Sequence, residues 1–165
     1  MNQHVKTAHF FLVGFFFLFI ISQALGQDDA KIPELNSRII RYVDSQMGKK
    51  VDRGECWDLM KRALDFAGAD WKFPNTWGKR FNPLKESTLP GDCIQYTNAV
   101  FKYKKGNVEY TSKAPKHSSI IYEVLSPTLF VIAQQNANGV RKVKLGELDL
   151  STLKRGKIDF YRPLE

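Results

Sequence analysis

"RGECWDLMKRAL", residues 53–64, sets a cysteine at the head of an amphipathic segment. Trp57, Met60, Leu64 and Ala67 recur at helical spacing, and Gly68 stands where a left-handed residue ends a helix. The spacing predicts a helix that begins at or near Cys56. First-turn N–H groups lack partners within a helix, and the macrodipole is positive there, so a thiolate at this place has a lowered pKa. Gly54, two residues earlier, allows a tight backbone approach that exposes N–H groups beside the sulfur. Three roles are open to Cys56 on this reading: a nucleophile, one half of a disulfide with Cys93, or a small apolar residue in a core.

Upstream, "PELNSRIIRYVDSQMG" (33–48) carries Leu35, Ile39, Val43 and Met47 four apart, with Ile40 flanking and Gly48 placed to end the helix. Downstream, residues 69–90 show no clear period; three prolines break the stretch, and Trp71, Phe73, Trp77 and Phe81 stud it. Such a stretch is often a functional loop, and its aromatics either line a groove or pin the loop to the core. After Pro90 the pattern is that of strands: 92–103, a "KKGN" turn, 108–112, 117–125, 129–136 and 139–146, then a short helical piece at 149–156 and a last strand at 157–163. Helices lead and strands follow. The expectation is an α+β fold, an antiparallel sheet packed against two N-terminal helices.

The chain opens with Lys6, the apolar run "FFLVGFFFLFII" (10–21) and the small residues of Ala24-Leu25-Gly26. This is the pattern of a secretory signal peptide, residues 1–26, cleaved before Gln27. The run is short of the roughly 20 residues a membrane-spanning helix needs. The expected mature chain, 27–165, has the length of one domain and keeps 24 basic residues against 17 acidic ones, a charge of +7. In a secreted protein this charge suits anionic surroundings, although solubility alone also accounts for it. The basic residues of the C-terminal half are scattered, with no aromatic–basic pattern that reads bases.

Removing the first 26 residues takes His4 and His9, so His117 is the one histidine left, beside Cys56 and Cys93. Zinc sites draw on several Cys and His ligands, and no HExxH, EF-hand, Walker or GxSxG pattern is present. No metal or other cofactor is therefore expected. A Cys–His pair remains. His117 begins a strand, from which it can reach a helix terminus and serve as base to Cys56. An imidazole in that role needs an orienting acceptor. The next strand places polar residues where apolar ones should continue, and Gln134 and Asn136 share one of its faces. Either can orient His117; as turn residues ahead of Asn138-Gly139, either can also be merely structural.

A cysteine at a helix start, "LPGDCIQY" (89–96), "HSSIIYEV" (117–124) and "QQN" (134–136), in that order, resemble the papain-like amidases of the CHAP and NlpC type. "GECWDL" (54–59), "QN" and "LKRGKIDFYRP" (153–163) look closer still to the cysteine-proteinase-fold domain of certain fungal actin-patch proteins and secreted bacterial relatives. The resemblance spans roughly residues 50–165. It implies a papain-like fold with Cys56 as nucleophile, His117 as base and Gln134 or Asn136 as third residue. Gln134 stands where the CHAP pattern often has a glutamate, and a neutral amide stabilises imidazolium less.

The expected function is that of a secreted thiol hydrolase cutting amide bonds in a peptide or wall polymer of anionic character, without a specific nucleic-acid partner and without a membrane span once the signal is cleaved. The alternative is a catalytically silent binding module on the same fold, with the aromatic loop 71–81 as its contact surface.

Overall fold

A computed structural model describes residues 32–72 and 76–165. The expected signal segment and its cleavage point, like Phe73, lie outside the described residues. Helix α1 spans Glu34–Gln46 and α2 spans Cys56–Ala67. The strands are β1 (Lys79–Phe81), β2 (Cys93–Lys105), β3 (Val108–Ser126), β4 (Leu129–Gln134), β5 (Lys144–Asp149) and β6 (Leu153–Arg162), with one 3₁₀ turn at Leu150–Thr152. They form a six-stranded antiparallel sheet in the order β1-β6-β2-β3-β4-β5. This is the papain-like α+β fold that the sequence predicts.

Each face of the sheet has its own core. Leu35, Ile39 and Val43 of α1 and Leu59, Met60 and Leu64 of α2 are buried, and they pack on Cys93, Ile120, Ala133 and Val143. Burying each such aliphatic side chain contributes about 1.5–3 kcal/mol, which is why two short helices hold their places. Trp57, expected in the α2 stripe, is only half-buried, with the Arg53 guanidinium 5.2 Å from its ring centre. Phe81, Ile94, Tyr96, Ile121, Phe130 and Phe160 form the second core on the opposite face. Both cysteines are free, and Cys93 lies fully buried under the helices, where burial pushes its thiol well above the ordinary range. The disulfide reading is thereby set aside.

The "PGD" turn joins the layers. Gly91 has φ +86, and a Cβ there would sit 2.8 Å from the backbone oxygen of Asn36, so the turn lies flush against α1. Asn36 donates to Pro90 O at 2.8 Å and to Asp92 Oδ1 at 3.3 Å. Arg162, at the end of β6, grips the same carboxylate through Nε at 3.1 Å and Nη2 at 2.8 Å. Burial pushes the Asp92 carboxyl up in spite of that guanidinium.

Four local expectations change. The strands expected at 108–112 and 117–125 are one strand, β3, because Pro115 falls opposite the irregular Asn98 and costs no ladder bond. The helical piece at 149–156 is a single 3₁₀ turn, after which Leu153 already pairs with Phe101. The strand expected from residue 139 begins only at Lys144. Within the irregular stretch, Lys79–Phe81 pairs with β6, Trp77 is buried with its indole N–H 3.4 Å from Gln95 Oε1, and Trp71 stacks on Trp77 with ring centres 5.6 Å apart. These aromatics pin the loop rather than present it.

The β2–β3 hairpin outruns the sheet. β6 follows β2 only as far as Phe101, and β4 follows β3 only from Ile120, whereas β2 and β3 remain paired out to Lys105 and Val108. The outer hairpin is thus a two-stranded arm, braced by Tyr103 and Tyr110 stacked 5.5 Å apart.

Candidate active site

Cys56 is the first residue of α2, and the backbone before it is held from several directions. Asp52 (φ 46) and Gly54 (φ 88) turn the chain, with Gly54 N–H donating to Val51 O at 2.9 Å. Gly54 is needed here: its φ is left-handed, and a Cβ would meet the Arg141 side chain at 2.9 Å. Asp58 Oδ2 accepts from the N–H of Glu55 at 3.0 Å, and Oδ1 pairs with Arg53 at 2.7 Å. Burial would push the Asp58 carboxyl up, but the Arg53 guanidinium and neighbouring N–H groups hold it below the ordinary carboxylate range.

The strongest clamp comes from a residue that the sequence reading passes over. Gln135 is fully buried. Its Oε1 accepts from Val51 N–H at 2.8 Å, and its Nε2 donates to Val51 O at 3.1 Å and Glu55 O at 2.9 Å. One amide thus satisfies three backbone groups of the loop that delivers Cys56. The available signal was strand parity: alternation turns Gln135 toward the helices once Gln134 faces the other way.

His117 lies on β3 opposite Tyr96, whose ring centre is 5.5 Å from the imidazole. The half-buried Cys56 thiol lies near His117 and Ser118, and both act on its ionisation. Neighbouring side chains of a strand point to opposite faces, yet the sulfur meets groups of both residues. It does so because β4 pairs with β3 only from Ile120, which leaves the β3 edge open at 117–118. Burial pushes the Cys56 thiol up, but the hydrogen bond and charge of His117, with the Ser118 bonds, bring it below its ordinary value.

Behind the imidazole, Gln134 Oε1 lies 3.0 Å from His117 Nε2. A carbonyl oxygen only accepts, so Nε2 carries the proton and the neutral ring keeps Nδ1 free to take another. Gln134 has room because residue 146 is glycine: a Cβ at Gly146, on neighbouring β5, would overlap Gln134 Nε2. Asn136 is elsewhere. Its φ of 59 turns it out of the strand pattern, and its Nδ2 donates to Glu55 Oε2 at 2.8 Å. Of the expected site residues, Cys56, His117 and Gln134 come together, while Asn136 steadies the residue before the thiol. No group of His, Cys, Asp or Glu suited to a metal ion occurs among the described residues.

Thiol, imidazole and amide, set in that order between a helix start and the curled sheet beside it, are the layout of a cysteine-proteinase fold. The chain belongs to the AIM3/BBC1 cysteine proteinase-fold domain family, whose model matches residues 33–165. It is 31% identical over 145 residues to altered inheritance of mitochondria protein 3 of Debaryomyces hansenii, an alignment covering 76% of this chain and 15% of that protein. The chain therefore corresponds to a small part of that relative. The solved structure of Ly7917 shares the fold, with a TM-score of 0.51 and 16% identity over 78% of this chain and 62% of that one.

Proposed function

We propose that this protein is a thiol hydrolase that cleaves amide bonds of peptide substrates. The supporting observation is the placing of the Cys56 thiol at the start of α2 near His117, whose ring is backed by Gln134. His117 takes the thiol proton, and the sulfur attacks the carbonyl carbon. The developing oxyanion is met by the N–H of Cys56 at the start of α2, where the macrodipole is positive. The imidazolium returns its proton to the leaving amine as the C–N bond breaks, leaving a thioester on Cys56. Water then attacks the thioester, with His117 again as base, and the acid and the free thiol are released. Gln134 holds the ring throughout but, being neutral, stabilises the imidazolium less than a carboxylate would.

Export is part of this reading. It is supported by the apolar run at 10–21 and the small residues at 24–26; N-terminal sequencing of the processed protein tests it, with Gln27 as the expected first residue. The alternative of an inert binding module loses much of its expected contact surface, since Trp77 and Phe81 are buried. The deciding experiment is iodoacetamide labelling with peptide mapping: selective modification of Cys56 below pH 8 supports the hydrolase, and labelling no faster than that of an ordinary thiol overturns it.

A further inference from the structure

A groove of about 620 Å³ runs under the β2–β3 arm, on the face of the sheet away from the helices, with His117 and Gln134 in its lining. Tyr96, Phe101, Ile132 and Leu148, all of the second core, form its floor, and Ala114 and the exposed Tyr103 continue that floor onto the arm. Register keeps most charge off it. Lys104, Lys113 and Lys116 alternate with Tyr103, Ala114 and His117, as Glu147 and Asp149 do with Leu148, so their side chains belong to the opposite face. Of the charged residues in the lining, Lys105 shares the floor's face, at the arm tip.

Cys56 opens α2 and stands on the helix side of the sheet, near the same histidine. Thiol and groove thus flank one imidazole, and the chemistry divides a substrate between them. The acyl half becomes the thioester on Cys56; the amine half takes the imidazolium's proton as the C–N bond breaks and departs on the imidazole's side. The edge of β3 between the two suits a polypeptide. Ile121 bonds through both its N–H and its C=O to Gly91 and Asp92, on the β2 side, and His117 O accepts from Gln95 Nε2 on that side too. Alternation turns the N–H and C=O of Lys116 away from β2, where β4 pairs with β3 only from Ile120. An extended chain can bond along that edge and drop alternate side chains onto the floor, which favours large apolar ones. We propose that the groove receives the amine half of the substrate, an extended segment with a large apolar or aromatic side chain on the first or second residue after the cut bond. That this is the amine half rests on the hydrolase reading above; binding of such a segment does not.

The test therefore uses the full chain with Cys56→Ala, which has no nucleophile. Fluorescence anisotropy would compare hexapeptides with a free amino terminus and a dye at the carboxyl end, opening on Phe-Leu, Gly-Ser or Glu-Glu. The Phe-Leu peptide is expected to bind about tenfold more tightly than either of the others, and its affinity should hold as salt rises. Ala114→Phe fills the groove and should weaken that binding about tenfold. Tyr103→Ser, at an exposed position that the fold does not depend on, should weaken it about threefold and keeps the test open if Ala114→Phe fails to fold. Leu84→Ser removes an exposed apolar side chain outside the groove and should leave binding within about twofold. No preference for Phe-Leu, tighter binding of Glu-Glu, or losses in Leu84→Ser equal to those in Tyr103→Ser would each overturn the proposal. Failure here with Cys56 of the wild-type chain still labelled selectively would leave the hydrolase reading standing. A clear Phe-Leu preference with Cys56 labelled no faster than an ordinary thiol would support the groove's occupant and overturn the hydrolase reading instead.

Discussion

Gln134 Oε1 and His117 Nε2 lie 3.0 Å apart, an amide oxygen where a carboxylate would bind an imidazolium more strongly. Gln134→Ala should slow alkylation of Cys56 at pH 7 roughly tenfold, the scale of one lost hydrogen bond. Gln134→Glu should extend the reactive window at both ends, because an anion behind the ring stabilises the thiolate–imidazolium pair against protonation and deprotonation alike. The pH profile of alkylation decides this; a profile unchanged in Gln134→Glu would refute the orienting role.

His117 and Ser118 oppose the burial that acts on Cys56. In the wild-type protein the alkylation midpoint should lie below the ordinary thiol value of about 8.5. In His117→Ala it should move above that value, since burial then acts with less opposition. Ser118→Ala removes the hydroxyl bond and leaves the backbone one, so its rise should be smaller. If His117→Ala left the midpoint in place, the thiol would not be coupled to the imidazole.

Gly146→Ala should lower Cys56 reactivity through Gln134 alone, because the new methyl occupies the space of the Gln134 amide. Elsewhere in a strand such a change is ordinarily tolerated. A double-mutant cycle checks it: in a Gln134→Ala background, Gly146→Ala should add nothing. Additive losses would mean a general disturbance of β5.

Gln135→Ala should destabilise the fold by about 1–3 kcal/mol, because the buried Val51 N–H loses its partner, while Val51 O and Glu55 O each lose one bond and keep those from Gly54 N–H and Asp58 N–H. Gln135→Leu should fare no better, as bulk does not replace the bonds. Urea midpoints measure both. Cys56 labelling should slow in each variant even where it stays folded, since the loop before α2 is no longer held.

Much of this architecture was legible in the residues. The stripes of α1 and α2 and the glycines after them follow from period and capping, and Cys56 does open α2. His117 emerged by elimination. The choice between Gln134 and Asn136 could not be made, because strand parity puts them on one face; parity fails at Asn136, whose left-handed backbone leaves the strand. β3 read as two strands because a proline inside a run signals a break, and only the Asn98 irregularity on β2 makes Pro115 harmless. β1 has just three residues, too few for a pattern. Gly146 is silent in sequence, since what matters there is the missing methyl beside a side chain twelve positions away.

Gln134, Gln135 and Asn136 reach, in turn, to the imidazole, to the loop ahead of α2 and to Glu55. Heredity can alter their identities singly, but not their frame. A codon inserted or lost within β4 would pass each amide to its neighbour's task, turn Gln135 out of the interior and disconnect both halves of the site in one event. Homologues that keep the chemistry should therefore vary in loop length almost anywhere except between Leu129 and Asn136.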